Sequence, residues 1–317
     1  MKKACLILPF FGKVTHWNNF FFKSLAFNVK FDWLIFSDIS FPGKLPLNVR
    51  IIRLTLDDFN KIVSNELNFT TNIDHPYKIC DFKPAFGYLF SKYIKDYEYW
   101  GYCDMDVIFG DLDSFLAEPI TLDFDIISPD DSFFPGHFCL CKNHENITNL
   151  FLKATNYQKI FSSNKYHYFD EFYHPKGISI SKKVLKNRIK KVVKMNRIRY
   201  LINTNKSFKI LFTLIKKHIK VKSKDEQNLV DFNSLIEYYS RTGRIKVCKN
   251  QIYDSDTRQY RLGYKGWCIK WDNGKLINSE SKEILYFHFP LTKYNGSLKI
   301  EDFSNESDSI FIVEGKF

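Results

Sequence analysis

The stretch Tyr99-Trp100-Gly101-Tyr102-Cys103-Asp104-Met105-Asp106-Val107-Ile108-Phe109-Gly110-Asp111-Leu112 decides how the chain is read. Its apolar run Tyr99–Cys103 has the make-up of a buried strand and passes directly into Asp-x-Asp. In extended backbone, residues i and i+2 point the same way, so both carboxylates can reach one cation or its water shell. Hard divalent cations prefer such oxygen ligands and bridge well to phosphates. Two carboxylates set among apolar strands are costly without a cation, which itself argues for a metal. A bare Asp-x-Asp is common; the strand end and the apolar frame make this one specific.

Working outward, further apolar runs read as buried parallel strands: Ala4–Pro9, Trp33–Phe36, Val49–Leu54 and Asp125–Ser128. Segments of helical character lie between them, at His16–Asn28, Asp57–Leu67 and Phe82–Tyr93. Such alternation predicts an α/β fold with a mostly parallel central sheet. Past residue 225 the chain offers a helix over Glu226–Tyr239, an irregular aromatic stretch and a last strand-like run, Ile284–Phe289. No internal repeat or low-complexity linker interrupts it. The economical organisation is a catalytic region over 1–180, a basic insert over 181–224 and the remainder of the catalytic domain over 225–317.

The 317 residues, 44% hydrophobic and 17% aromatic, can build a large core, which excludes wholesale disorder. The net charge of +12 is uneven. Residues 182–224 hold 16 Lys/Arg and no Asp/Glu, leaving 31 basic and 35 acidic residues elsewhere, a mildly acidic body. Within that insert Val184, Leu185, Ile189, Val192, Val193, Ile198 and Leu201, and then Phe208 to Ile219, recur at roughly helical spacing among lysines and arginines. That is the pattern of basic amphipathic helices on an anionic membrane surface. The alternatives are a hairpin packed on the enzyme and, less favoured without a binding module around the charge, nucleic acid. Seven scattered cysteines read as reduced thiols, and Cys139 and Cys141 lack the spacing of a zinc site. The N-terminus reads as a first core strand and not as a signal peptide, and no apolar run reaches the roughly 18 residues of a spanning helix. A cytoplasmic protein, peripheral on the inner face of a bacterial plasma membrane, is expected.

In open α/β sheets ligands collect at the carboxyl ends of the strands. Pro9-Phe10-Phe11 and Ser37-Asp38 follow the first two strands, where short loops can hold a nucleotide base and ribose; plain turns explain the same residues. In Tyr286-Phe287-His288-Phe289-Pro290-Leu291-Thr292-Lys293, His288 is a possible third metal ligand, and Lys293 can neutralise a diphosphate. A carboxylate suits a general base that deprotonates a hydroxyl, and Asp170 and Glu171, after the aromatic Tyr166-His167-Tyr168, are the candidates. Pro135-Gly136-His137-Phe138 is placed on the acceptor side, and Tyr166, Tyr168 and Trp267 are either sugar-stacking or core aromatics.

The Asp-x-Asp block and the late His…Lys resemble GT-A fold glycosyltransferases. More narrowly, Pro76-Tyr77-Lys78-Ile79-Cys80-Asp81-Phe82-Lys83-Pro84-Ala85, followed by Trp100 to Asp106, resembles bacterial glycosyltransferase-like proteins of lipopolysaccharide and capsule gene clusters. The likeness covers 1–180 and 225–295. It implies a GT-A-like, Rossmann-type domain and a hexosyltransferase using Mn²⁺ or Mg²⁺ against the diphosphate of a nucleotide sugar, a UDP-sugar for preference, with a glycan or lipid-linked acceptor. By that resemblance Asp104 faces the ribose or sugar, Asp106 binds the metal directly, His288 completes the metal site, and Lys78, Asp81 and Lys83 lie over the donor. The competing classes are a metal-dependent nucleotidyltransferase or nuclease using Asp104, Asp106 and Asp111, and a non-catalytic membrane or nucleic-acid adaptor acting through the insert.

Overall fold

Strands β1 (Ala4–Pro9), β2 (Phe31–Ser37), β3 (Val49–Arg53) and β4 (Tyr99–Cys103) pair in parallel in the order β3-β2-β1-β4. β5 (Val107–Phe109) leaves this sheet, which continues through β6 (Ile126–Ser128), β7 (Phe138–Lys142) and β8 (Val247–Lys249) as β4-β7-β6-β8. Only β7 runs against the others. The chain is thus α/β, with a mostly parallel central sheet. In this computed structural model the described residues are 3–15, 17–130, 134–171, 229–250, 252–256, 267–290, 298–302 and 309–314. The basic insert and Lys293 lie outside them. No helix among the described residues is long and apolar enough to cross a membrane.

The sheet is buried on both faces, which is why its strands read as continuous apolar runs. Along β1, Cys5 and Ile7 join one core cluster while Ala4, Leu6 and Leu8 join the other. Helix α1 (Trp17–Ala26) buries Phe21, Phe22 and Leu25 on the second face. On the first lies α2 (Leu56–Leu67), started by a capping box in which the Thr55 hydroxyl accepts from Asp58 N–H at 3.1 Å and Asp58 accepts from Thr55 N–H at 3.2 Å.

The helix expected over Phe82–Tyr93 is broken into a 3₁₀ helix over Pro76–Ala85, a short α3 (Phe86–Leu89) and a 3₁₀ turn over Ser91–Tyr93. Pro84 supplies the reason: it lacks an N–H and disfavours helical geometry in the residue before it. Gly87 lets α3 lie on β4, since a Cβ there would come within 2.3 Å of the Trp100 ring. The helix expected over Glu226–Tyr239 is described from Phe232 to Arg241, where the Asp231 carboxylate caps it by accepting from Ser234 N–H at 2.7 Å.

Two small sheets follow, drawing on the strand-like run Ile284–Phe289 and on stretches that the sequence reads as irregular. β9 (Tyr253–Ser255) and β13 (Tyr286–His288) join β5 as β5-β13-β9. β10 (Cys268–Asp272), β11 (Lys275–Ile277), β12 (Glu283–Ile284), β14 (Leu298–Asp302) and β15 (Ser309–Glu314) form a second, antiparallel sheet. Strands of two or three residues carry no readable alternation, so their pairing is a tertiary fact.

A buried ion pair ties the first 3₁₀ helix to the distant loop 165–169. Lys78 Nζ donates to Asp81 Oδ2 at 2.7 Å and to the carbonyls of Ile160 at 2.6 Å and Lys165 at 2.9 Å. Asp81 in turn accepts from the N–H groups of His167 at 2.9 Å and Phe169 at 2.8 Å. Held on both sides, Tyr168 adopts a left-handed φ of 61°, uncommon for a non-glycine residue, and the chain turns so that Asp170 packs inward. Replacing Asp81 with Asn strands a buried ammonium and should cost roughly 3–5 kcal/mol in chemical denaturation. A loss within the range of about 0–1 kcal/mol typical of surface pairs contradicts this role.

Candidate metal and donor site

Asp104 and Asp106 occupy the turn between β4 and β5, at the carboxyl edge of the central sheet. The Asp104 N–H donates to the His137 carbonyl at 3.1 Å, and the Asp106 carbonyl accepts from Phe289 N–H at 3.0 Å. Antiparallel pairing of β5 with β13 sets His288 opposite Val107 and so beside Asp106. One ligand atom from each of Asp104, Asp106 and His288 lies within 4.8 Å of the others, and this is the one such three-residue group among the described residues. His288 Nε2 stands 3.5 Å from Asp106 Oδ1. Burial acts to lower the His288 pKa, but Asp106 outweighs it and the net shift is upward. Two carboxylates and one imidazole around a common point fit a hard or borderline divalent cation such as Mn²⁺ or Mg²⁺. Asp106 and His288 are each 13% exposed and Asp104 is 34% exposed, so the group is anchored inside yet open to a ligand.

Lys83 links this group to the acids further along. Its Nζ donates to Asp104 Oδ1 at 2.6 Å and to the Gly136 carbonyl at 2.7 Å, and lies 3.8 Å from Asp170 Oδ2. Burial opposes the charge, but Asp104 and the neighbouring acids hold the ammonium's pKa well above its usual value. Asp170 is 1% exposed and accepts from the Tyr166 hydroxyl at 2.9 Å. Its burial pushes the carboxyl well up, against the pull of Lys83. Glu171 is raised by burial too, and accepts from Gly136 N–H at 3.2 Å. Gly136 is required here because a Cβ would lie 2.4 Å from Asp170 Oδ2. His137 stacks on His288 with centroids 4.1 Å apart and planes 19° from parallel, and burial lowers its pKa well below the usual value.

Pro9-Phe10-Phe11 and Ser37-Asp38 end neighbouring strands at the same carboxyl edge, joined by Phe10 N–H to the Phe36 carbonyl at 2.8 Å and Ser37 Oγ to the Phe10 carbonyl at 2.6 Å. Asp38 is exposed there, while Ser37 is buried. The register places Ile7 opposite Tyr102, so Pro9 and Asp104 lie two residues further along adjacent strands. Lys78 and Asp81, expected over the donor, are both almost wholly buried, and their hydrogen bonds hold the 165–169 loop. Asp111, required by the two-metal nuclease reading, instead caps helix α4 (Leu112–Thr121) by accepting from Ser114 N–H at 3.0 Å. Tyr166, Tyr168 and Trp267 are each at least nine-tenths buried, and Trp267 joins a core cluster with Ile269 and Phe287. Asp256, buried and within electrostatic reach of His288, had no signal in the sequence beyond its place after a short strand.

Asp106→Asn and His288→Ala should each weaken Mn²⁺ binding by roughly tenfold or more, read by paramagnetic resonance on folded protein; unchanged affinity in both contradicts the grouping. Gly136→Ala should displace Asp170 and lower the melting temperature, which a thermal scan beside wild type decides.

Over 50% of its length the chain is similar to the crystal structure of galactosyltransferase LgtC in complex with donor and acceptor sugar analogs, at 13% identity and a TM-score of 0.29, spanning 64% of that chain. A similar likeness, at 15% identity and a TM-score of 0.28, covers 49% of this chain and 65% of an active-site mutant of LgtC. In both cases the aligned part is under two thirds of the neighbour's length. No curated protein sequence matches the chain. Residues 6–317 match the profile of the family of unknown function DUF6625, and the chain belongs to that family.

Proposed function

We propose that the protein is a metal-dependent glycosyltransferase of the hexosyltransferase type. Its donor is a nucleotide-diphosphate sugar, a UDP-sugar for preference, and its acceptor a glycan or lipid-linked hydroxyl in bacterial surface polysaccharide synthesis. The observation that carries this reading is the Asp104, Asp106 and His288 group at the carboxyl edge of a parallel sheet, with Lys83 and Asp170 beside it. Mn²⁺ or Mg²⁺, held by those three side chains, would supply positive charge against the departing diphosphate.

The protein's own groups divide the remaining work. Pro9-Phe10-Phe11 and Ser37-Asp38 form the wall for base and ribose. Lys83 sets one oxygen of Asp104 and carries positive charge to the donor. Lys293 is assigned to the diphosphate on its sequence position alone. In an inverting reaction Asp170 or Glu171 takes the acceptor hydroxyl proton as the new glycosidic bond forms and the bond to the diphosphate breaks. Burial raises both carboxyls, which favours their taking up a proton. The insert over 182–224 is assigned to an anionic membrane surface, which places the enzyme at the inner face of the plasma membrane. Helix capping by Asp111 removes one carboxylate from the two-metal alternative.

Incubation with UDP-sugars, Mn²⁺ and acceptor should release UDP without pyrophosphate. Asp106→Ala should lower that release by on the order of 10²-fold or more. Release of pyrophosphate, or full transfer by the variant, sinks the proposal. Liposome sedimentation with and without residues 182–224 tests the membrane assignment, and equal pelleting contradicts it.

A further inference from the structure

Two of the buried side-chain polar atoms without a hydrogen-bond partner among the described residues belong to one ring cluster beside the cation site: His137 Nε2 and the Tyr286 hydroxyl. His137 is the more telling, because its ring lies directly against a metal-ligand candidate. It stacks on His288 with centroids 4.1 Å apart, and it meets Tyr253 at 5.0 Å and Tyr286 at 5.6 Å. Such surroundings suit a phenylalanine. An apolar ring of similar shape would pack there without leaving a buried nitrogen unpaired, a destabilising arrangement that native proteins seldom retain without use. The backbone around His137 is already committed to the site: its carbonyl takes the Asp104 N–H at 3.1 Å, and the Gly136 carbonyl takes Lys83 at 2.7 Å. The ionisable groups that act on the ring electrostatically are His288, Lys83 and Asp106.

Resting on the cation reading of Asp104, Asp106 and His288, we propose that His137 is a ligand-binding residue whose Nε2 is kept for an oxygen of the bound cation–diphosphate assembly. That oxygen belongs either to a water in the cation's shell or to a phosphate. The ring face meanwhile holds His288 in the orientation that ligation needs.

His137→Phe in the full chain separates the nitrogen from the ring. Without ligand, loss of the unpaired nitrogen should raise the melting temperature by about 2–4 °C. Binding of Mn²⁺ with UDP should weaken roughly tenfold. Weakening already with Mn²⁺ alone assigns the nitrogen to the cation's shell, and weakening only with UDP assigns it to the diphosphate. A variant that melts below wild type, or that binds Mn²⁺ and Mn²⁺ with UDP as wild type does, overturns the proposal. Asp106→Asn, measured in parallel, keeps the two readings apart. If it loses Mn²⁺ while His137→Phe keeps both ligands, only the role of His137 falls; if it binds Mn²⁺ like wild type, the cation reading falls and takes this one with it.

Discussion

The antiparallel pairing of β5 with β13 is the constraint on which the site depends. It brings His288 from late in the chain against Asp106, in the turn between β4 and β5. The pairing is fastened from several sides. Gly110 N–H donates to the Leu285 carbonyl at 2.7 Å, Trp271 Nε1 donates to the Phe109 carbonyl at 2.8 Å, and Leu285 N–H reaches the Ile252 carbonyl at 2.7 Å. A Cβ on Gly110 would stand 2.7 Å from the Ile284 carbonyl, so a side chain there would push the strands apart. The small sheets thereby act as a bracket that holds His288 beside Asp106.

Two lysines five residues apart on one 3₁₀ helix show how folding and chemistry share the same elements. Lys78 is spent internally, neutralising Asp81 while that carboxylate binds the backbone on either side of Tyr168. Lys83 reaches Asp104, with Asp170 close by. The first pair shapes the loop that delivers Asp170; the second ties Asp104 to the neighbourhood of Asp170. Both ammonium groups are buried, and both are tolerated because carboxylates and carbonyls surround them. The segment Gly136-His137 closes the arrangement from below, with its backbone holding Lys83, Asp104 and Glu171 together.

The parts legible in the sequence were those governed by long-range apolar pattern. Ala4–Pro9 and Tyr99–Cys103 read as strands over the same bounds that they occupy, because burial on both faces leaves unbroken apolar runs. Asp104 and Asp106 stood out because they end such a run. His288 was legible as a late-strand histidine with Lys293 five residues on, but its place beside Asp106 was not, because it depends on three-residue strands that carry no periodicity. That Lys78 and Asp81 bind each other and distant backbone groups was not legible, because an i, i+3 Lys–Asp pair has the same appearance in sequence whatever it faces. The break at Pro84 went unread, because the residues around it have helical character and a proline is tolerated in a helix's first turn.

The central claim is that the chain gathers Asp104, Asp106 and His288 to hold one divalent cation for a nucleotide sugar. Anomalous diffraction from crystals grown with Mn²⁺ and UDP tests it most directly. The account predicts a single strong peak at about 2 Å from a carboxylate oxygen of Asp106 and from a ring nitrogen of His288, with the diphosphate on its open side. A peak at another group of acids, or none near these residues with UDP bound, would contradict it.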